Sequence, residues 1–209
     1  MPGTPSLGFL LQLLPIGLTM LNHRKFSAIA GVLAASLTLA ACAPSATDGG
    51  GSSSESDAAF NDQDVQFAQM MLPHHMQAVE MSDMILAKDG IDPQVTDLAQ
   101  RIKNEQEPEI QQMEGWLTDW DAPTEMGAMD HSSNGMMSDG EMGDLDAASG
   151  DDASRLFLEQ MTGHHNGAIE MAKTELDQGK FPDAVKLAQA IVETQQAEIE
   201  EMKDILASL

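Results

Sequence analysis

Cysteine is nearly absent from this chain of 209 residues, tyrosine is wholly absent, and basic residues are scarce. A single cysteine, Cys42, leaves no intrachain disulfide to staple the fold and no cluster of thiolates for a metal. Ten Lys and Arg stand against 34 Asp and Glu, a formal charge of −24. Such a polyanion repels phosphate backbones, which excludes nucleic acid as a partner. The sequence has no phosphate-cradling glycine loop, no serine in a nucleophile-elbow setting and no Glu-x-x-His motif of the di-iron carboxylate bundles. It therefore reads as a binding protein rather than an enzyme. The longest clean apolar run, Phe26 to Ala40, is too short for a membrane span of roughly 20 residues.

What is abundant is methionine, sixteen residues of it. Methionine is ordinarily a pliable core filler, so its chemistry has to be argued from position.

The positions repeat. Met70-Met71-Leu72-Pro73-His74-His75-Met76-Gln77-Ala78-Val79-Glu80-Met81 returns ninety residues later as Gln160-Met161-Thr162-Gly163-His164-His165-Asn166-Gly167-Ala168-Ile169-Glu170-Met171. A second segment, Leu98-Ala99-Gln100 with Ile102, Gln106, Glu109, Ile110, Met113 and Leu117, returns as Leu187-Ala188-Gln189, Ile191, Gln195, Glu198, Ile199, Met202 and Leu206. Each segment has helical periodicity, which predicts an all-α fold: a four-helix bundle built from two copies of one helical hairpin. The helices are expected from Asn61 or Asp62, over Pro93–Trp120, from about Asp152 to Gln178, and from Pro182 to Leu209. Pro73 should kink or restart the first, because it removes an amide donor and crowds the preceding turn.

Three flanking regions complete the organisation. Residues 1–41 are a leader. His23-Arg24-Lys25 precedes the apolar run, which ends Leu39-Ala40-Ala41-Cys42, and this resembles a bacterial lipobox with Met20 as the true start. Cleavage before Cys42 and acylation of its sulfur would anchor the protein to a membrane in the cell envelope, outside the cytoplasm. Residues 42–59, with Gly49-Gly50-Gly51-Ser52-Ser53-Ser54, form a flexible tether. The bundle is residues 60–209, and a long polar loop, 121–151, joins its halves; a loop of this length is usually functional or disordered.

On a helical projection Phe67, Met70, His74, Ala78, Met81 and Ile85 form one stripe about 60° wide, with His74 central and His75 at its edge beside Met71. A pseudo-twofold axis between the hairpins would bring His74 and His164 together in the core. Two buried histidines with Gln106, Glu109, Gln195 and Glu198 are a heavy polar load unless they satisfy one another or hold a metal. Met70 and His74, Met71 and His75, and Met161 and His165 are four apart, so each pair shares a helix face; Met81 and Met171 lie one turn further on. Imidazole suits several transition metals, whereas thioether selects Cu(I) or Ag(I). Glu109 and Glu198 are placed to orient the imidazoles. The loop contributes Met126, Met129, His131, Met136, Met137 and Met142, thioethers with no packing reason to be in a polar segment, and these form a second candidate donor set. The competing readings are a redox enzyme using iron and an interaction module whose histidines are structural.

The doubled His-His motifs, each followed by Leu-Ala-Gln…Gln-x-x-Glu-Ile-x-x-Met, resemble the domain-of-unknown-function family 305 over about residues 60–209. The resemblance implies a ferritin-like four-helix bundle in the cell envelope with copper or silver handling, and by motif position it implicates His74, His75, Met81, His164, His165 and Met171. A copper transporter or exporter is the partner it implies for handover. Two departures matter: Asn166 stands where the first copy has Met76, and Gln160 where it has Met70, so the second half offers fewer thioethers.

Overall fold

The chain was analysed as a computed structural model, which describes residues 59–124 and 134–209. The leader, Cys42, the tether up to residue 58, and Met126, Met129 and His131 lie outside the described residues. Five helices follow in order: α1 (Asp62–Leu86), α2 (Pro93–Asp119), α3 (Asp139–Ala147), α4 (Gly150–Gln178) and α5 (Pro182–Ser208). Among the described residues no helix is long and apolar enough to cross a membrane.

Local sequence sets the helix starts. Asn61 and Asp64 close a reciprocal capping box on α1, the Asn61 side chain accepting from the Asp64 amide at 3.0 Å and the Asn61 amide donating to Asp64 at 2.6 Å. Asp92 caps α2, and both α2 and α5 open on a proline, whose missing amide would have no partner there anyway. Gly90, at φ +74°, supplies the left-handed residue in the turn between α1 and α2.

α1 and α2 form one hairpin, α4 and α5 the other. Their packing gives two apolar clusters. In one, Ala78, Met81 and Ile85 of α1 meet Phe157, Leu158 and Met161 of α4. In the other, Phe67, Ala68 and Met71 of α1 meet Ala168, Met171 and Ala172 of α4. The start of each helix thus lies beside the end of the other, so α1 and α4 run antiparallel through the centre. The same reversal pairs the start of α2 with the end of α5. This is the four-helix bundle of two repeated hairpins.

Three sequence expectations are corrected. α1 is one helix through Pro73 and does not restart there; apolar clusters on both sides outweigh a local cost of about 3 kcal/mol for the proline. His75 is not at the edge of the buried stripe but wholly buried, because α2 covers that flank of α1. Within the expected loop 121–151, residues 139–147 are the helix α3, started by a Ser138/Glu141 capping box and held by Leu145, which is fully buried in the first cluster. Met137 and Met142 pack against that cluster, so the argument that loop methionines lack a packing role fails for these two.

At one end of the bundle Trp120 stacks on Phe60 at 4.8 Å, and Phe181 meets Trp116 and Trp120 edge-on. Beside this cap Asp64 is buried and accepts from the Lys180 and Phe181 amides at 2.9 and 2.8 Å, pinning α1 to the α4–α5 turn. Burial works to raise the Asp64 pKa, but hydrogen bonds from Glu175 and from the backbone outweigh it and hold that carboxyl low. Glu175, fully buried, is pushed up to about 8 by desolvation and by its hydrogen bond to Asp64, so the pair holds one proton between them at neutral pH.

Candidate metal centre

The two apolar clusters are separated by a layer of imidazole. His74 of α1 and His164 of α4 meet ring against ring, centroids 3.7 Å apart and planes tilted by 38°. Both are buried, as are His75 and His165 on the flanks. The twofold relation of the hairpins extends to hydrogen bonding: His75 Nε2 lies 2.7 Å from Glu109 Oε2, and His165 Nε2 lies 2.7 Å from Glu198 Oε2.

These bonds fix the tautomers. A carboxylate or a carbonyl can only accept, so the ring nitrogen facing it carries the hydrogen. His75 and His165 therefore donate from Nε2 to their glutamates, and His74 donates from Nε2 to the Asn134 carbonyl at 3.0 Å. In all three rings Nδ1 is buried and without a hydrogen-bond partner. Neither ring nitrogen of His164 makes a well-formed hydrogen bond, although the His74 backbone acts on the ring. The side-chain oxygens of Gln106 and Gln195 are also buried and unsatisfied. Burial, then the neighbouring His75, pushes His74 down to about 3; burial and His74 push His164 well below the ordinary range. Both imidazoles are neutral at physiological pH, the form that ligates a metal.

The thioethers surround this layer. Met71 and Met171 are in the cluster on one side, Met81 and Met161 in the cluster on the other, all four buried. Met70 is partly exposed and lines, with Met171 and Asn134, a pocket of about 390 Å³ between α1 and α4. The sequence-predicted residues thus separate into a buried set of four histidines and four methionines, the partly exposed Met70, Met136 in a groove on α1, and Met137 and Met142 packed against the first apolar cluster. Gln160, which replaces Met70 in the second half, donates to the Glu141 carbonyl and ties α4 to α3. Among the described residues no three His, Cys, Asp or Glu side chains converge as a metal cage, so a centre here would combine imidazole with sulfur. The donors fit a soft cation and do not fit a carboxylate-bridged pair of irons.

Sequence reasoning missed what holds the loop on the site. Gln77 clamps Met137 with two hydrogen bonds, donating to its carbonyl at 2.8 Å and accepting from its amide at 2.7 Å. Asn134-Gly135 crosses α4 at Gly163 and Gly167; Gly135 has φ +78°, and a Cβ on Gly167 would overlap the Asn134 carbonyl. Gly167, a glycine inside a helix, was the readable signal, since such a residue marks a close backbone approach.

The pattern of the family described as Domain of unknown function (DUF305) matches residues 64–206. No curated protein matches the chain. Among solved structures, a DUF305 fragment from Deinococcus radiodurans is 34% identical, with a TM-score of 0.66 over 71% of this chain and 98% of that one. A DUF305 protein from Streptomyces coelicolor is 35% identical, with a TM-score of 0.65 over 70% and 93%. CopM in its Cu(I)-bound form is 33% identical, with a TM-score of 0.59 over 69% and 96%, and CopM is also known in Cu(II)-bound and Ag-bound forms. With its paired histidines, its twofold arrangement and this likeness in hand, the chain belongs to the DUF305 family.

Proposed function

We propose that this protein is an envelope lipoprotein that binds Cu(I) or Ag(I) in the bundle, buffering or sequestering the ion and handing it on to a transporter or exporter. It acts as a binding protein and not as an enzyme. The observation that carries this reading is a layer of four buried imidazoles whose Nδ1 atoms have no hydrogen-bond partner, the central pair, His74 and His164, being neutral. A buried polar atom left unsatisfied costs about 1–3 kcal/mol, and a cation between imidazole and thioether would recover it. Glu109 and Glu198 hold the flanking rings in the tautomer that leaves Nδ1 free. The copper- and silver-bound forms of CopM support the same choice of ion. The lipobox-like Leu39-Ala40-Ala41-Cys42 supports anchoring outside the cytoplasm.

The test is a Cu(I) competition titration of the parent against His74→Leu/His164→Leu. Leucine fills similar space and removes the orphaned nitrogens. The expected result is loss of the tightest site in the variant, with its fold retained. Equal Cu(I) affinity in both proteins would show that the histidine layer is structural.

A further inference from the structure

The outer face of α1 has methionines that the buried centre does not use. A groove of about 640 Å³ runs along it, lined by Met76, Met84 and Met136 together with Glu80 and Asp83. Met76, Glu80 and Met84 are successive fourth residues, so they share one face of the helix. Met136 arrives from a different segment and is held in place by the two hydrogen bonds between Gln77 and the Met137 backbone. Three thioethers from two elements therefore line one open groove, next to the histidine pair in sequence and on a flank of α1 where Met84 borders the core.

Packing does not account for Met76 and accounts only in part for Met84. Met76 is 53% exposed, the more open of the two large apolar side chains that stand free in solvent among the described residues. Met84 rests its inner side on the core, which steadies it without burying it. The equivalent positions in the other hairpin are Asn166 and Thr174, both exposed, and that hairpin folds in the same way. The hairpin thus has no need of sulfur at these two sites. Asp83 is paired with Lys103, so Glu80 supplies the negative rim that concentrates cations there. A cluster of neutral thioethers discriminates by softness, favouring Cu(I) and Ag(I) over harder divalent ions.

We propose that Met76, Met84 and Met136 form a second, solvent-facing site for a soft monovalent cation. It rests on the reading of this protein as a soft-cation binder and assigns it an entry site distinct from the buried centre. Because thioethers do not titrate, binding at this site is the same on either side of the ordinary histidine pKa.

The experiment is an Ag(I) titration of the full chain carrying Cys42→Ala, so that no thiol competes, with the methionine methyl groups labelled for NMR. Three proteins are compared: this parent, His74→Leu/His164→Leu, and Met76→Leu/Met84→Leu/Met136→Leu. In the parent the Met76, Met84 and Met136 methyl resonances shift as the second equivalent of Ag(I) is added, and in the histidine variant they shift with the first. In the methionine variant the bound Ag(I) falls by one equivalent relative to the parent while the buried site still fills. Leucine preserves apolar volume on an exposed face, so the variant keeps its fold. Unmoved resonances for these three residues, or an unchanged stoichiometry in the methionine variant, would overturn the second site alone. Absence of Ag(I) binding to any of the three proteins would overturn the soft-cation reading itself.

Discussion

A histidine ring buried without a charge partner is a pH sensor of a particular sign. His74 is held near 3 when folded, against 6.5 as its ordinary value. Between those limits the unfolded chain takes a proton that the folded chain refuses, so stability falls as pH drops from about 6.5 towards 3. The slope is on the order of 1 kcal/mol per pH unit for each such ring. Urea unfolding across this range should show it, and His74→Leu/His164→Leu should flatten it. The same neutrality means that Cu(I) stays bound at about pH 5, where an ordinary histidine site is mostly protonated. At the flanks, Glu198→Ala should leave the His165 N–H buried without an acceptor and destabilise by about 1–3 kcal/mol. Glu109→Ala should cost less, because the Glu109 side chain is 21% exposed against 10% for Glu198 and water can replace it more easily. Thermal unfolding of the two variants settles the order.

Among the elements, the segment from Asn134 to Met137 and the α4 surface beneath it act as one piece. Gly163 and Gly167 look alike in sequence, yet they predict opposite outcomes. Nothing lies near a Cβ on Gly163, so Gly163→Ala should stabilise the helix by about 0.5–1 kcal/mol. Gly167→Ala drives a methyl into the Asn134 carbonyl, which is the acceptor for His74. That variant should lose about 1–3 kcal/mol and release the His74 N–H, visible as altered imidazole resonances. At the capped end of the bundle, Glu175 keeps its proton up to about pH 8 when folded, whereas the unfolded chain releases it near 4.5. Stability therefore declines as pH rises through that window. Glu175→Gln keeps a hydrogen-bond donor for Asp64 and cannot ionise, so it should match the parent near pH 4.5 and exceed it by about 1–3 kcal/mol at pH 8. Thermal melts at the two pH values read this directly.

For the whole molecule, the duplication made most of the fold legible beforehand. Two His-His motifs ninety residues apart, each followed by the same second helix, imply two like hairpins, and a twofold between them puts His74 against His164. Glu109 and Glu198 were legible for the same reason, as polar residues recurring midway along otherwise apolar stripes. What could not be read is what breaks the symmetry. α3 is short and mostly polar, and it depends on one buried leucine, Leu145. The Asn134 carbonyl bond to His74 is made by backbone, on which side-chain chemistry is silent. The depth of His75, which His165 shares, was hidden for a different reason: α2 covers a flank that helical projection of α1 alone counts as an edge. The central claim is that imidazoles from both hairpins and neighbouring thioethers trap one soft cation inside the bundle. X-ray absorption at the copper edge, on protein loaded with one equivalent of Cu(I), tests it most directly. The account predicts nitrogen and sulfur neighbours together, with the nitrogen shell lost in His74→Leu/His164→Leu; a shell of sulfur alone, unchanged by that substitution, would contradict it.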